Sequence, residues 1–220
     1  MIARDRFIDA ANGRPVDRKS TLFWPGSPDG RSDAVIIPAD PDYVKRHDRQ
    51  DNRALLVEVP NPFGRAWVRN IDLNALLKTD PKEGVRVLLQ FVEAARTAMA
   101  NSLDAGADGV FYRLHGANAQ HCSPMEYGGH YLEHDRELLQ GITRAKVNVL
   151  FVVGDSDLYL DFVSDLPAHL FGWDNRTSGV SAAQGRAIRK GPVLTFDEES
   201  DVVLHYNGPS VTHSIEKPKS

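Results

Sequence analysis

The chain predicts an α/β fold made of parallel βα units, and three patterns carry that prediction. Short apolar runs recur along the 220 residues, with segments of helical periodicity between them, the alternation of a parallel sheet and its crossover helices. The runs Gly109–Tyr112 and Val147–Val153 are almost wholly apolar, as expected of strands buried on both faces. Finally, Asp80-Pro81-Lys82-Glu83 and Ser123-Pro124-Met125-Glu126 repeat one punctuation. A capping side chain, a proline in the first turn and a glutamate at the third helical position together open a helix.

In order, Ile2 to Asn12 forms an amphipathic helix stopped by Gly13 and Pro15. Thr21–Trp24, Val35–Ile37 and Leu55–Val59 are strand candidates, with a turn-rich stretch from Pro25 to Asp33. The charged run from Asp40 to Asn52 reads as a solvated helix or loop. Pro60 to Arg65 reads as a stiff loop, and Asp72 to Leu77 as a helical turn. A long helix then spans Pro81 to about Ala105, with Leu88, Phe91, Val92, Ala95, Met99 and Leu103 as its buried stripe. After the strand Gly109–Tyr112 comes a polar loop, Leu114 to His121, and one helix from Pro124 to about Ile142. The strand Val147–Val153 leads through Gly154-Asp155-Ser156-Asp157 into an expected helix to Asp165. Ala168–Trp173 and Pro192–Phe196 are further strands, flanking a helix capped by Ser181. Val202–Tyr206 is one more strand-like run, and the last residues, EKPKS, are expected to be disordered.

Composition bounds the function. Hydrophobic residues make up 41% and charged residues 25%, ordinary for one globular domain. A formal net charge of −4 argues against general binding to nucleic acid. The single cysteine, Cys122, excludes an intrachain disulfide framework and fits a reducing compartment. No apolar run is long enough for a membrane helix, and the charged N-terminus lacks the apolar core of a signal peptide. A cytoplasmic protein without membrane or nucleic-acid partners is expected.

Four blocks carry a family likeness: RDRFIDAANGRPVDR, AGADGVFYRLHGANAQHCSPMEYGGHYLEHDRELL, NVLFVVGDSDLYLDFVSDLPAHLFGWDNRTSGVS and PVLTFDEE. In this order they resemble the uroporphyrinogen decarboxylase superfamily, which includes corrinoid-linked methyltransferases. The resemblance implies a TIM-type (β/α)₈ barrel over the whole chain, with its cleft at the carboxyl ends of the strands. About seven strands are expected, with the last βα unit missing or degenerate and residues 201–220 a divergent tail. An incomplete barrel would leave strand edges open, so either a homodimer or poor solubility is expected.

The implied reaction is decarboxylation of a carboxylate-rich tetrapyrrole or another small anionic substrate, without a cofactor. Arginines would clamp the carboxylates, because the guanidinium fork pairs bidentately with them. Arg113 and Arg65 are the first candidates, joined at the rim by Tyr112, Trp173 and Arg176. Asp155, Asp174 and His115 are the catalytic candidates, the aspartates to hold pyrrole N–H groups. The family's R-Q-A-G-R and F-S-D loops have no counterpart here. The alternatives are a corrinoid-linked methyltransferase, which would need zinc or a corrinoid, and a non-catalytic binding barrel. His115, His121, Cys122, His130 and His134 look like metal ligands. The family's methyltransferases, however, place an H-x-C pair on a later strand, which here ends Phe151-Val152-Val153-Gly154. No metal site is therefore expected.

Overall fold

The computed structural model describes residues 1–24, 32–47 and 52–206. The expectations for most of the turn-rich stretch, the end of the charged run and the C-terminal tail fall outside them. The order begins with α1 (Ala3–Ala11), β1 (Ser20–Trp24), β2 (Ala34–Pro38), α2 (Pro41–Arg46) and β3 (Ala54–Pro60). Three helices follow, α3 (Pro62–Val68), α4 (Leu73–Thr79) and α5 (Pro81–Asp104), before β4 (Gly109–Leu114). Then come α6 (Pro124–His130), α7 (Leu132–Gln140), β5 (Val147–Val152) and β6 (Leu170–Trp173). The order ends with α8 (Asn175–Ser178), α9 (Ala182–Ile188), β7 (Val193–Thr195) and β8 (Val202–Tyr206).

The eight strands are all parallel and close in sequence order into a barrel, with β8 hydrogen-bonded to β1. The expectation of about seven strands and an open edge is corrected here, and with it the basis for expecting a dimer. The reason lies in the length of β7. A three-residue strand spans only about 10 Å, which six residues can retrace without a helix. Residues 196–201 make that return. Asp201 fixes it at Val193: its amide donates to the Val193 carbonyl at 3.0 Å and its carboxylate accepts the Val193 N–H at 2.8 Å.

Other boundaries shift for local reasons. Pro60 to Arg65 is not a loop throughout. Asn61 caps α3 by accepting the Gly64 N–H, and Pro62 occupies the first turn. The helix expected from Pro124 to Ile142 breaks at Tyr131, the joint of α6 and α7. The helix expected from Asp157 to Asp165 is instead a set of turns at residues 160–165. Both punctuated starts hold: Asp80 caps α5, and Ser123 and Glu126 form a reciprocal capping box.

Strand alternation divides the core in two. Leu22, Trp24, Ile36, Leu56, Phe111, Val149, Phe151 and Leu204 fill the barrel interior, with Phe7, Ala10 and Ala11 of α1 packed beneath them. The opposite faces carry Val57, Val59, Tyr112, Leu150 and Trp173 into the helical layer. Charges at this lower end are saturated. Buried Asp33 pairs with Arg6 at 2.6 Å and Arg18 at 2.8 Å, and buried Asp108 pairs with Lys146 at 2.9 Å and with Arg4.

Trp173 lies against α9, its indole N–H donating to the Val180 carbonyl at 2.8 Å. A Cβ on Gly185 would lie 1.9 Å from the indole ring, whereas one on Gly129 meets nothing within 4 Å. Gly185→Ala is therefore expected to destabilise the fold by about 1–3 kcal/mol through overpacking. Gly129→Ala should be neutral or stabilise by up to about 1 kcal/mol. Urea unfolding of both variants checks the contrast; equal midpoints would contradict the packing described.

Candidate active site

The carboxyl end of the barrel holds a charged pair inside an aromatic ring. On β3 the inward positions are Leu56 and then Glu58; on β4 they are Phe111 and then Arg113. Arg113 Nη1 donates to Glu58 Oε1 at 2.7 Å, and Trp24 Nε1 donates to Glu58 Oε2 at 3.0 Å. The Arg113 guanidinium lies 4.6 Å from the Trp24 ring centroid, a cation–π contact. Trp24 also packs on Phe111 at 5.3 Å, Tyr206 at 5.1 Å and Phe151 at 6.1 Å. Arg113 is buried, while the Glu58 side chain keeps 25% exposure. The carboxylate is thus the open member of the pair.

Beside this pair the exits of β3 and β4 are clamped together by Asn61. Its amide N–H donates to the Arg113 carbonyl at 2.9 Å. Its side-chain oxygen accepts the His115 N–H at 3.1 Å, and its side-chain nitrogen donates to the His115 carbonyl at 3.0 Å. The same nitrogen reaches Asp135 at 3.2 Å. Asp135, wholly buried on α7, also accepts the hydroxyls of Tyr112 and Tyr127, each at 2.6 Å. Burial outweighs these three donors and lifts the Asp135 carboxyl to about 6. The same burial, next to that carboxylate, holds the Tyr112 and Tyr127 hydroxyls well above their usual value.

His115 is 6% exposed and its Nε2 has no hydrogen-bond partner among the described residues. Burial, helped by Arg113 and His121, pushes its pKa well down, so the ring is neutral. Its ring lies so close to α3 that a Cβ on Gly64 would be 2.5 Å from it; position 64 accommodates only glycine.

The other candidates divide. Arg176, 49% exposed, stacks 3.4 Å from the Phe196 ring centroid. Buried Asp174 holds it at 3.0 and 2.8 Å and also accepts the Arg176 N–H, so that carboxylate is committed. Asp155 lies partly exposed in the bend after β5. Arg65 is half-buried on α3, its Nε donating to the Pro60 carbonyl at 3.1 Å, and burial lowers its pKa. Tyr112 and Trp173 point away from the lumen, Tyr112 to Asp135 and Trp173 to α9; their strands present Phe111, Arg113 and Gly172 inward instead. Glu58, Asn61 and Asp135 are the site residues that sequence reasoning missed. Glu58 had a signal, a lone carboxylate in the apolar run LLVEVP.

Among the described residues, no three His, Cys, Asp or Glu side chains come together to hold a metal ion. Cys122 is buried, accepts from Asn74 at 3.3 Å and has its thiol pushed up to about 11, so it is protonated at neutral pH. No helix among the described residues is long and apolar enough to cross a membrane.

No protein-family model and no curated protein matches the chain. Solved structures do. A methyltransferase from Methanosarcina mazei superposes with a TM-score of 0.72 at 12% identity, covering 88% of this chain and 82% of its own. A protein from Burkholderia cenocepacia J2315 provisionally named a lyase/mutase superposes with a TM-score of 0.53 at 10% identity, covering 92% and 79%. At these identities the likeness establishes the fold, an α/β barrel of the TIM type.

The Asp135 network sets a pH dependence. The folded-state pKa is about 6 and the unfolded value about 3.9. The folded state therefore binds the proton more tightly, and the group's contribution is fully present below the unfolded pKa. It is lost as pH rises from about 4 to about 6, on the order of 3 kcal/mol in all. Asp135→Asn should remove this slope, so the stability difference between wild type and variant changes across that window. Unfolding free energies at pH 4 to 7 test this; a constant difference would rule out a raised folded-state pKa for Asp135.

Proposed function

We propose that this barrel is a uroporphyrinogen-decarboxylase-like enzyme acting on a carboxylate-rich small molecule of the tetrapyrrole-precursor type. The observation that carries this reading is the Glu58–Arg113 pair inside the lumen at the carboxyl end. Burying an ion pair has a desolvation cost that a packed apolar layer avoids. Its occurrence at the end where TIM barrels do chemistry supports reading it as a site.

Decarboxylation breaks a carbon–carbon bond, releases carbon dioxide and leaves the electron pair on the carbon that bore the carboxyl group. A proton must then reach that carbon. A pyrrole ring can take up the electrons once it is protonated on a ring carbon: an anion at its N–H groups stabilises that cation, loss of carbon dioxide discharges it, and the ring proton then returns to solvent. Glu58 fits that role better than Asp174, whose oxygens are committed to Arg176 and the α8 cap. Arg113 opposes a ligand carboxylate at the floor, and Arg176 opposes another at the rim. The unpartnered Nε2 of neutral His115 offers a further hydrogen bond to the ligand. Asp155 lines the approach from β5.

The methyltransferase likeness favours a second reading, methyl transfer with a corrinoid partner. The residues at the exit of β5, Phe151 to Gly154, carry neither imidazole nor thiolate. They do not fit the zinc that such transfer uses in the resembled enzymes.

Anaerobic incubation with uroporphyrinogen, resolving products by carboxyl number, tests the proposal. Stepwise loss of carboxyl groups is expected, and Glu58→Gln should lower kcat by about 10²–10³. Arg113→Gln should raise KM. Saturating uroporphyrinogen should also raise the melting temperature by several degrees. No product at stoichiometric enzyme together with no thermal shift would sink the reading. Methyl transfer from methylcobalamin to a thiol, with no decarboxylation, would install the second.

A further inference from the structure

Outside the barrel mouth lies a second concavity of about 600 Å³, between α3, α4, the loop after β4 and the start of α6. Its volume is in the range of small-molecule sites. Its walls are tied at several points. Asn74 donates to the His121 carbonyl at 2.9 Å and to Cys122 Sγ at 3.3 Å, and accepts the Tyr131 hydroxyl at 2.6 Å. Lys78 on α4 pairs with Glu126 on α6 at 2.5 Å. The cavity is therefore formed before any ligand arrives.

We propose that this groove binds a purine nucleoside. One wall is aromatic: Trp67, 38% exposed, meets His121 at 4.8 Å and stacks on Phe63 at 6.4 Å. A flat heterocycle gains most from such a surface. The polar groups beside it are neutral and two-sided. The amides of Asn70 and Gln120 and the ring of His121 line the groove, and each offers both a donor and an acceptor. Among the described residues, the side chains of Asn70 and His121 make no hydrogen bond. Burial lowers the His121 pKa, keeping the ring uncharged. That set matches the alternating donors and acceptors of a base edge. Among the described residues, Asp72 accepts the Ala75 N–H through one oxygen, which leaves the other for a ribose hydroxyl. Among the described residues that line the groove, the one cation, Lys78, is already paired with Glu126, which disfavours selection of a phosphate. A nucleoside fits better than a nucleotide.

Calorimetric titration of the full chain with adenosine and guanosine tests this. One site per chain is expected for at least one of them, with adenosine monophosphate binding no more tightly than adenosine. Trp67→Ala should weaken binding about tenfold or more, and Trp67→Phe should restore part of the loss. Asn70→Gly, which tolerates the φ of 57° at that position, should also weaken it. Glu58→Gln should leave it unchanged, because the barrel mouth is a different site. No binding of either nucleoside at millimolar concentration, binding indifferent to Trp67→Ala, or loss in Glu58→Gln would each overturn the proposal. So would a nucleotide preferred more than tenfold.

Discussion

The carboxamide of Asn61 locks together the exits of two strands, β3 and β4, that pair side by side in the barrel. Its oxygen takes the Gly64 and His115 N–H groups, while its nitrogen meets the His115 carbonyl and Asp135. Arg113 and His115 sit on one of these exits and Glu58 just below the other, so their spacing is set by this amide. Asp135 then ties the joint to α7, to α6 through Tyr127 and to β4 through Tyr112. An aspartate in the dry helical layer is thus connected to the mouth through one intermediate residue. That is the support a preorganised site requires.

The two ends of the barrel treat charge differently. Below, Asp33 and Asp108 are each met by two cations, an arrangement that closes the base and holds α1 in place. Above, Glu58 is met by one guanidinium and one indole N–H and keeps partial access to solvent. Saturated pairs serve the fold, while the less completely enclosed pair is the one that the proposed function assigns to a ligand.

Much of the framework was legible in the sequence because it rests on local rules. Alternation and apolar runs marked the strands, and the Asp80 and Ser123 caps marked two helix starts. What escaped was set by distance. Closure by β8 depends on Asp201 reaching back to Val193, which no local pattern announces. The cap at Asn61 was hidden between two prolines that read equally well as a loop. Tyr112 and Trp173 are strand residues next to chemically interesting neighbours, yet the two-residue period turns them to the other face. Glu58 was visible as an odd charge in an apolar strand, but only the Arg113 and Trp24 contacts give it meaning. Asp135 carries no motif at all; its importance comes from Tyr127 nearby and from Asn61 and Tyr112, which are distant in the chain.

The short return between β7 and β8 has a kinetic meaning. The seam that shuts the barrel pairs Ser20 with Val202, bringing together strands from opposite ends of the described chain. Contacts of such separation have a high loop-closure entropy cost and form late. Until β8 docks, β1 and β7 each present an unpaired parallel edge. With no helix in that last connection, the closing strand brings little local structure of its own. The seam at β1 and β8 therefore carries the largest loop-closure cost in the barrel, and a chain that has yet to form it keeps two edges open to pairing with another chain.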